Sequence, residues 1–328
     1  MATPILLDKE SWNSALKYIW GQFKTWDATS LALKGKITRW RNIVLWLSIG
    51  GAILGTLSQQ VDGWKIAGVP TWLAATLGVL SGAALGAASY LTKEVLSTGP
   101  EANAVRTRAA AEAFKREAYL LATGAPPYAT ATSATDLLEK TEDIRAGVNN
   151  VPPLTLSSAQ QEADTPAAGM TVDDYVKQRV VQQIDDYYLP QVQISTQRLA
   201  LGRKVSLALG AIAIMLGFWS AKSASVAGWV AVIGAITAAI AAYQYAARYQ
   251  YLIVSYQATA DRLKWLKTKW EIDGKLQPGD AAKHAFIIAC EDAIATENSA
   301  WMAEWTRKAE NSSVSGFSRT GQNTAQIF

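Results

Sequence analysis

The sequence predicts an all-α integral membrane protein: two parallel copies of a two-span helical hairpin, each with long cytoplasmic helices that join in a bundle. Three observations predict it: two long regions almost empty of charge, a repeated order of elements, and Trp at the edges of those regions. From Ile43 to Tyr90 the only acids or bases, Tyr aside, are Asp62 and Lys65, and from Val205 to Ala247 there is only Lys222. A soluble core helix normally keeps one polar face, and these stretches have none.

The first repeat, residues 1–148, opens on an amphipathic stretch, Trp12–Trp26, with Trp20, Phe23 and Trp26 as its aromatic residues. Spans at 43–58 and 71–91 follow, separated by the polar break at Asp62 and Lys65. A bilayer core asks for about 20 apolar residues, so the first span is short. Trp40, Arg39 and Arg41 must then reach back to its boundary. Helices over Ala102–Thr123 and Thr135–Val148 complete this repeat. Residues 149–171, within a Pro-, Ser-, Ala- and Asn-rich run, read as a linker without a core of its own.

The second repeat, residues 172–310, has the same order. Val172–Tyr188 is amphipathic, with Ile184, Tyr187 and Tyr188. Spans at 205–221 and 225–247 follow, anchored by Arg203 and Lys204 at one end. Trp72 and Trp229 fall where an aromatic belt belongs. A helix over Arg248–Trp270 ends at Gly274 and Pro278. A last one, Ala281–Lys308, carries Phe286, Ile287, Cys290, Ala293, Ile294, Trp301 and Trp305 as an apolar stripe. Its Glu291, Glu297 and Glu304 lie elsewhere on its circumference. Residues 311–328 are Ser-, Thr- and Gly-rich and read as a disordered tail.

The two halves align residue by residue at several offsets. Arg41, Ile43, Leu45 and Leu47 match Arg203, Val205, Leu207 and Leu209, and Ala111 and Glu112 match Ala260 and Asp261. A copy with two spans returns to its starting side, so the copies are parallel and not inverted. Basic residues flank the spans while each turn holds one, Lys65 or Lys222. The positive-inside rule then places both termini in the cytoplasm of an inner, plasma-membrane protein. No secretory leader precedes the first span, since MATPILLDKESW has acids and no long apolar core.

Composition closes off most chemistry. One Cys and one His exclude a disulfide within the chain and His-pair or multi-Cys metal sites. A net charge of +4 marks no nucleic-acid surface. No catalytic, cofactor-binding or metal-binding residues are expected, and the chain does not read as an enzyme. Polar character inside the spans is hydroxyl: Ser48, Thr56, Thr76, Ser81, Ser89, Ser206 and Thr237. Such groups line a narrow water path or bond back to their own helix. Gly51 and Gly55, with Gly78, Gly82 and Gly86, form small-residue ridges that let helices pack closely, within a hairpin or between subunits.

The hairpin, the following Tyr249-Gln-Tyr251 and Ala258-Thr-Ala260-Asp-Arg262-Leu263, and a last helix bearing Glu291, Glu297 and Trp301 together resemble the SLATT superfamily of bacterial two-transmembrane proteins. The second copy carries the resemblance best, and the first looks like a degenerate version. The resemblance implies a membrane effector that forms pores or perturbs the membrane when a nucleotide-signalling or other sensor partner is triggered in bacterial conflict. It implies no catalytic residues. The copies are fused in tandem without an attached sensor, so a trigger would come from another, cytoplasmic chain. The expected protein is a homo-oligomer in the lipid bilayer, forming a channel for ions or small solutes gated from its cytoplasmic helices. The alternative is a non-conducting scaffold that recruits a partner.

Overall fold

A computed structural model describes residues 9–64, 70, 72–96, 98–128, 133–220, 224–274 and 279–299. Thr71, Ala221, the turn residues Lys65 and Lys222, Glu304, Trp301, Trp305 and the tail 311–328 lie outside them. Every regular element among the described residues is a helix. In chain order these are α1 (Lys9–Trp64), α2 (Trp72–Glu94), α3 (Thr98–Thr123), α4 (Ser133–Ala146), α5 (Ser158–Glu162) and α6 (Val172–Tyr175). Two π-helical turns, Val176–Val181 and Gln183–Tyr188, lead into α7 (Leu189–Ser220), α8 (Ala224–Ala247) and α9 (Tyr249–Lys269). A third π turn, Trp270–Gly274, precedes α10 (280–299). The all-α membrane class holds: four of the helices are long and apolar enough to cross a bilayer.

The amphipathic opening and the first span are one uninterrupted helix. Residues 27–42 between them are rich in Ala, Leu, Lys and Arg, with a single Gly35 and no Pro, so nothing breaks α1. In space the chain divides into two compact units, each assembled from separate stretches of sequence. A polar unit takes Met1–Lys34, Thr98–Pro190 and Ser255–Phe328, and an apolar unit takes Gly35–Ser97 and Gln191–Val254.

The polar unit has an ordinary close-packed core. Leu16, Ile19, Trp20 and Phe23 of α1, Phe114, Ala118 and Leu121 of α3, and Ile287 and Ile294 of α10 are among its buried residues. Aromatic rings run through it edge to face: Trp20 to Tyr119 at 5.9 Å, Tyr119 to Tyr175 at 5.8 Å, Tyr175 to Phe286 at 6.3 Å. At the end of α3, Gly124 takes φ +64°. The Ala125 amide donates back to the Leu120 carbonyl, the closing bond of a Schellman end.

The segment expected as a linker is fastened along α1. Leu154 donates its amide to Thr29 Oγ1 (3.0 Å), and the Trp20 indole donates to the Ala163 carbonyl (2.8 Å). Lys17 and Lys24 pair with Glu162 and Asp164.

The apolar unit packs through small residues. Ser81 donates to the Gly51 carbonyl and Ser58 to the Ala74 carbonyl, each at 2.7 Å, clasping α1 to α2. A Cβ on Gly51 would sit 2.7 Å from Leu85 Cγ, so glycine is needed there. The hairpins also meet. Tyr243 donates to Asn42 Oδ1 (2.9 Å), and Gly228 faces Thr56 and Gln60. As the number rises along α1 it falls along α8, so these two helices run antiparallel. Outward the unit is apolar: Trp46 is 69% exposed, Leu207 76% and Phe218 78%.

Candidate functional site

The polar unit holds a chain of alternating charges inside its core. Arg179 lies on the first π turn, where Tyr175, the adjacent pair Arg179 and Val180, Ile184 and Tyr188 follow at steps of four to five residues and are all buried. Its side chain is 0% exposed. Nε and Nη2 donate to the two carboxylate oxygens of Glu291 on α10, both at 2.9 Å, the bidentate arrangement that suits guanidinium best. Nη1 reaches Gln183 Oε1 at 3.3 Å and Glu112 Oε2 on α3 at 3.5 Å. Tyr175 adds a hydroxyl bond to Glu291 at 2.9 Å.

From Glu112 the chain continues to Arg108 at 2.6 Å, and from Arg108 to Asp27 on α1 at 2.8 Å. Arg108 also stands 4.8 Å from the Tyr187 ring centre. Buried charges persist only when paired and hydrogen-bonded, and here each carboxylate meets a guanidinium. Burial opposes the charged form of Glu112, but Arg108 and Arg179 overcome it and hold the carboxyl down at about 2. Burial acts the same way on Arg179, and Glu291 first among its neighbours raises it well above its ordinary value. Glu297 differs. Burial pushes it up to about 7, with Arg108 only partly offsetting. Lys115 is pulled down to about 8, by burial first and then by Arg179. The network ties α1, α3, the π turn and α10 together. It binds charge and fixes helices.

Glu291 and Glu297, expected elsewhere on the helix circumference than the apolar stripe, are thus buried, at 1% and 8% exposure. Glu291 stands four residues after Ile287 and three before Ile294, so the helical spacing carried the signal. Arg179 stands four after Tyr175 in the same way. Cys290 is buried on the stripe, and burial raises its thiol far above the ordinary range.

The hydroxyls singled out in the spans fall into several environments. Ser48, Thr76 and Thr237 donate to Val44, Trp72 and Ile233, the carbonyls four residues back on their own helices. Ser81 is buried between α1 and α2. Thr56 presents its methyl to Gly228, and Ser206 is half-buried. Ser89 is exposed and shares a groove with Ser48. The glycines divide too. Gly51 and Gly55 meet α2, and Gly78 faces Ser58, whereas Gly82 and Gly86 face open space. Among the anchors Trp72 and Arg203 are exposed, and Trp40, Arg41 and Trp229 are half-buried.

Fold and surface together define a helical membrane protein whose spans present apolar faces outward. Residues 175–301 match the family described as SMODS and SLOG-associating 2TM effector domain 1, of the SLATT group. The match starts at Tyr175, takes in α7 and α8 as its two spans, and includes Arg179 and Glu291. Residues 1–174 lie outside it. No curated protein and no solved structure matches the chain.

Proposed function

We propose that the protein is a self-associating membrane effector that forms a pore for ions or small solutes, gated from its polar helices. The observation that carries the reading is the coincidence of a two-span effector match with four outward-apolar helices. Gly82 and Gly86 on the open side of α2 supply a surface on which a second copy can pack closely. In this reading the protein sits in the inner membrane with both termini and the polar unit in the cytoplasm. It is not an enzyme, and a cytoplasmic sensor supplies the trigger.

Gating follows from connectivity. Asp27 and the first span share α1, and Arg179 lies ten residues before the start of α7. A partner that pulls Glu291 or Glu112 away from Arg179 would leave a buried charge uncompensated and bias the helices that lead into the spans.

The test is release of a small trapped dye and of potassium from liposomes carrying the purified protein. Release above empty liposomes by a Glu291→Gln variant, whose polar clamp on Arg179 is broken, and its loss when Gly82→Leu is added while the protein still inserts, are the expected results. Wild-type and Glu291→Gln liposomes both as tight as empty ones overturn the pore. The second reading, a non-conducting scaffold, rests on the exposed Trp265 of α9, which lies 4.5 Å from the Arg262 guanidinium and 5.4 Å from Lys269 Nζ. Such a basic aromatic face suits an acidic partner.

A further inference from the structure

We infer that the first hairpin carries a binding site for an anionic phospholipid, with the phosphate at Lys93 and an acyl chain lying over Leu85 and Ala88. The site is a groove of about 460 Å³ lined by Ser48 of α1 and by Leu85, Ala88, Ser89, Thr92 and Lys93 of α2. Its lining is graded along α2. Leu85 and Ala88 are apolar, Ser89 and Thr92 carry hydroxyls, and Lys93 ends the series with a cation. At 1.5 Å per residue the series spans about 12 Å along the helix axis. Acyl chain, glycerol ester and phosphate follow one another in the same order.

The donors available to a phosphate are specific. Thr92 spends its hydroxyl proton on the Ala88 carbonyl and Ser48 on the Val44 carbonyl, each at 2.8 Å. Ser89 and Lys93 are exposed and point the site's donor capacity outward. Among the described residues, no carboxylate lines the groove. Charge on the same unit favours an anion as well. Its basic residues include Arg39, Arg41, Lys93, Arg198, Arg203 and Lys204, against the acids Asp62 and Glu94. A lysine beside an apolar groove at a span's end is the chemistry that selects an anionic headgroup over a zwitterionic one. The occupant is a lipid and not a soluble phosphate, because Leu85 and Ala88 offer a phosphate ion nothing. The inference needs only the membrane class, not the pore.

The experiment is native mass spectrometry of the full chain in detergent, titrated with phosphatidylglycerol or phosphatidylcholine. Wild type is expected to retain a first phosphatidylglycerol at least fivefold more tightly than phosphatidylcholine. Lys93→Gln removes that preference, and Ser89→Trp, which fills the groove from its exposed side, weakens both lipids. Arg203→Gln, a basic residue outside the groove, leaves the first binding step unchanged. Inorganic phosphate at millimolar concentration does not compete. Equal binding of both lipids by wild type, or an Arg203→Gln loss as large as that of Lys93→Gln, overturns the site. So does retention of the preference in Lys93→Gln, or unweakened binding of both lipids in Ser89→Trp. Competition by inorganic phosphate overturns the lipid as occupant.

Discussion

Arg179 in the polar unit is fully enclosed and meets two carboxylates, whereas Phe218 in the apolar unit is 78% exposed with Leu207 and Trp46 beside it in kind. Each placement would be costly in the other setting. Water makes exposed apolar surface unfavourable and tolerates charge, and lipid reverses both preferences. The apolar unit keeps its few polar contacts inward, as between Ser81 and Gly51 or Tyr243 and Asn42. The polar unit keeps Trp20, Phe114 and Tyr175 inward and spends charge on specificity at its centre. One chain therefore folds to two rules, and α1, α7 and α9 cross from one to the other without a loop.

The largest expected effect comes from breaking the central charge chain. Arg179→Met leaves Glu291 and Glu112 without their shared partner and should cost about 3–5 kcal/mol, read as a fall in thermal midpoint in detergent. Adding charge to the other unit tests the converse. Ile214 is 65% exposed on α7, and Ile214→Arg should oppose membrane insertion by about 2.5–3.5 kcal/mol, measured by carbonate extraction. In a water-facing helix the same change would be harmless.

Glycine contacts give a finer contrast. Gly51→Leu drives a side chain into Leu85 and should destabilise the hairpin by about 1–3 kcal/mol. Gly86→Leu meets open space and should leave the monomer's unfolding unchanged while weakening self-association, followed by crosslinking.

Acid stability separates two carboxylates of the same unit. Glu112, held at about 2 against its ordinary 4.5, binds fewer protons folded than unfolded. Its stabilising contribution is full above pH 4.5 and is lost as pH falls toward 2. Glu297, raised to about 7 from 4.5, binds more protons folded. Its contribution is full below pH 4.5 and is lost as pH rises through 7. Glu297→Gln should therefore flatten the slope of stability between pH 4.5 and 7, and Glu112→Gln the slope below it. The smallest effect belongs to Ser81→Ala, about 0.6 kcal/mol for one hydrogen bond between spans.

The spans were legible because charge is absent over stretches long enough to cross a bilayer, within helices that are charged outside them, and no later packing can alter that. The hairpin ends and the apolar stripe of α10 through Phe286, Ile287, Cys290 and Ile294 follow from the same local pattern. The charge chain was not legible as a site. Its pairs join residues as far apart as Arg179 and Glu291, and its register depends on π turns that a 3.6-residue template misses. Glu291 was read as lying off the stripe, because a lone acid on a helix normally faces water, although its spacing from Ile287 and Ile294 puts it among buried positions. Gly51 and Gly82 look alike in sequence, since both sit in small-residue ridges. Only the neighbouring helix tells the clasped glycine from the open one.

The claim that the two units lie in different solvents is tested most directly with a membrane-impermeant maleimide. Single cysteines would replace Leu207, Ile214 and Phe218 in the apolar unit, and Asp261 and Lys264 in the polar one, with buried Cys290 changed to Ser. In bilayer-reconstituted protein, positions 207, 214 and 218 should stay unlabelled until detergent is added. Positions 261 and 264 should label at once in molecules whose polar unit faces outward. Equal and immediate labelling of both sets would place the apolar faces in water and contradict the account.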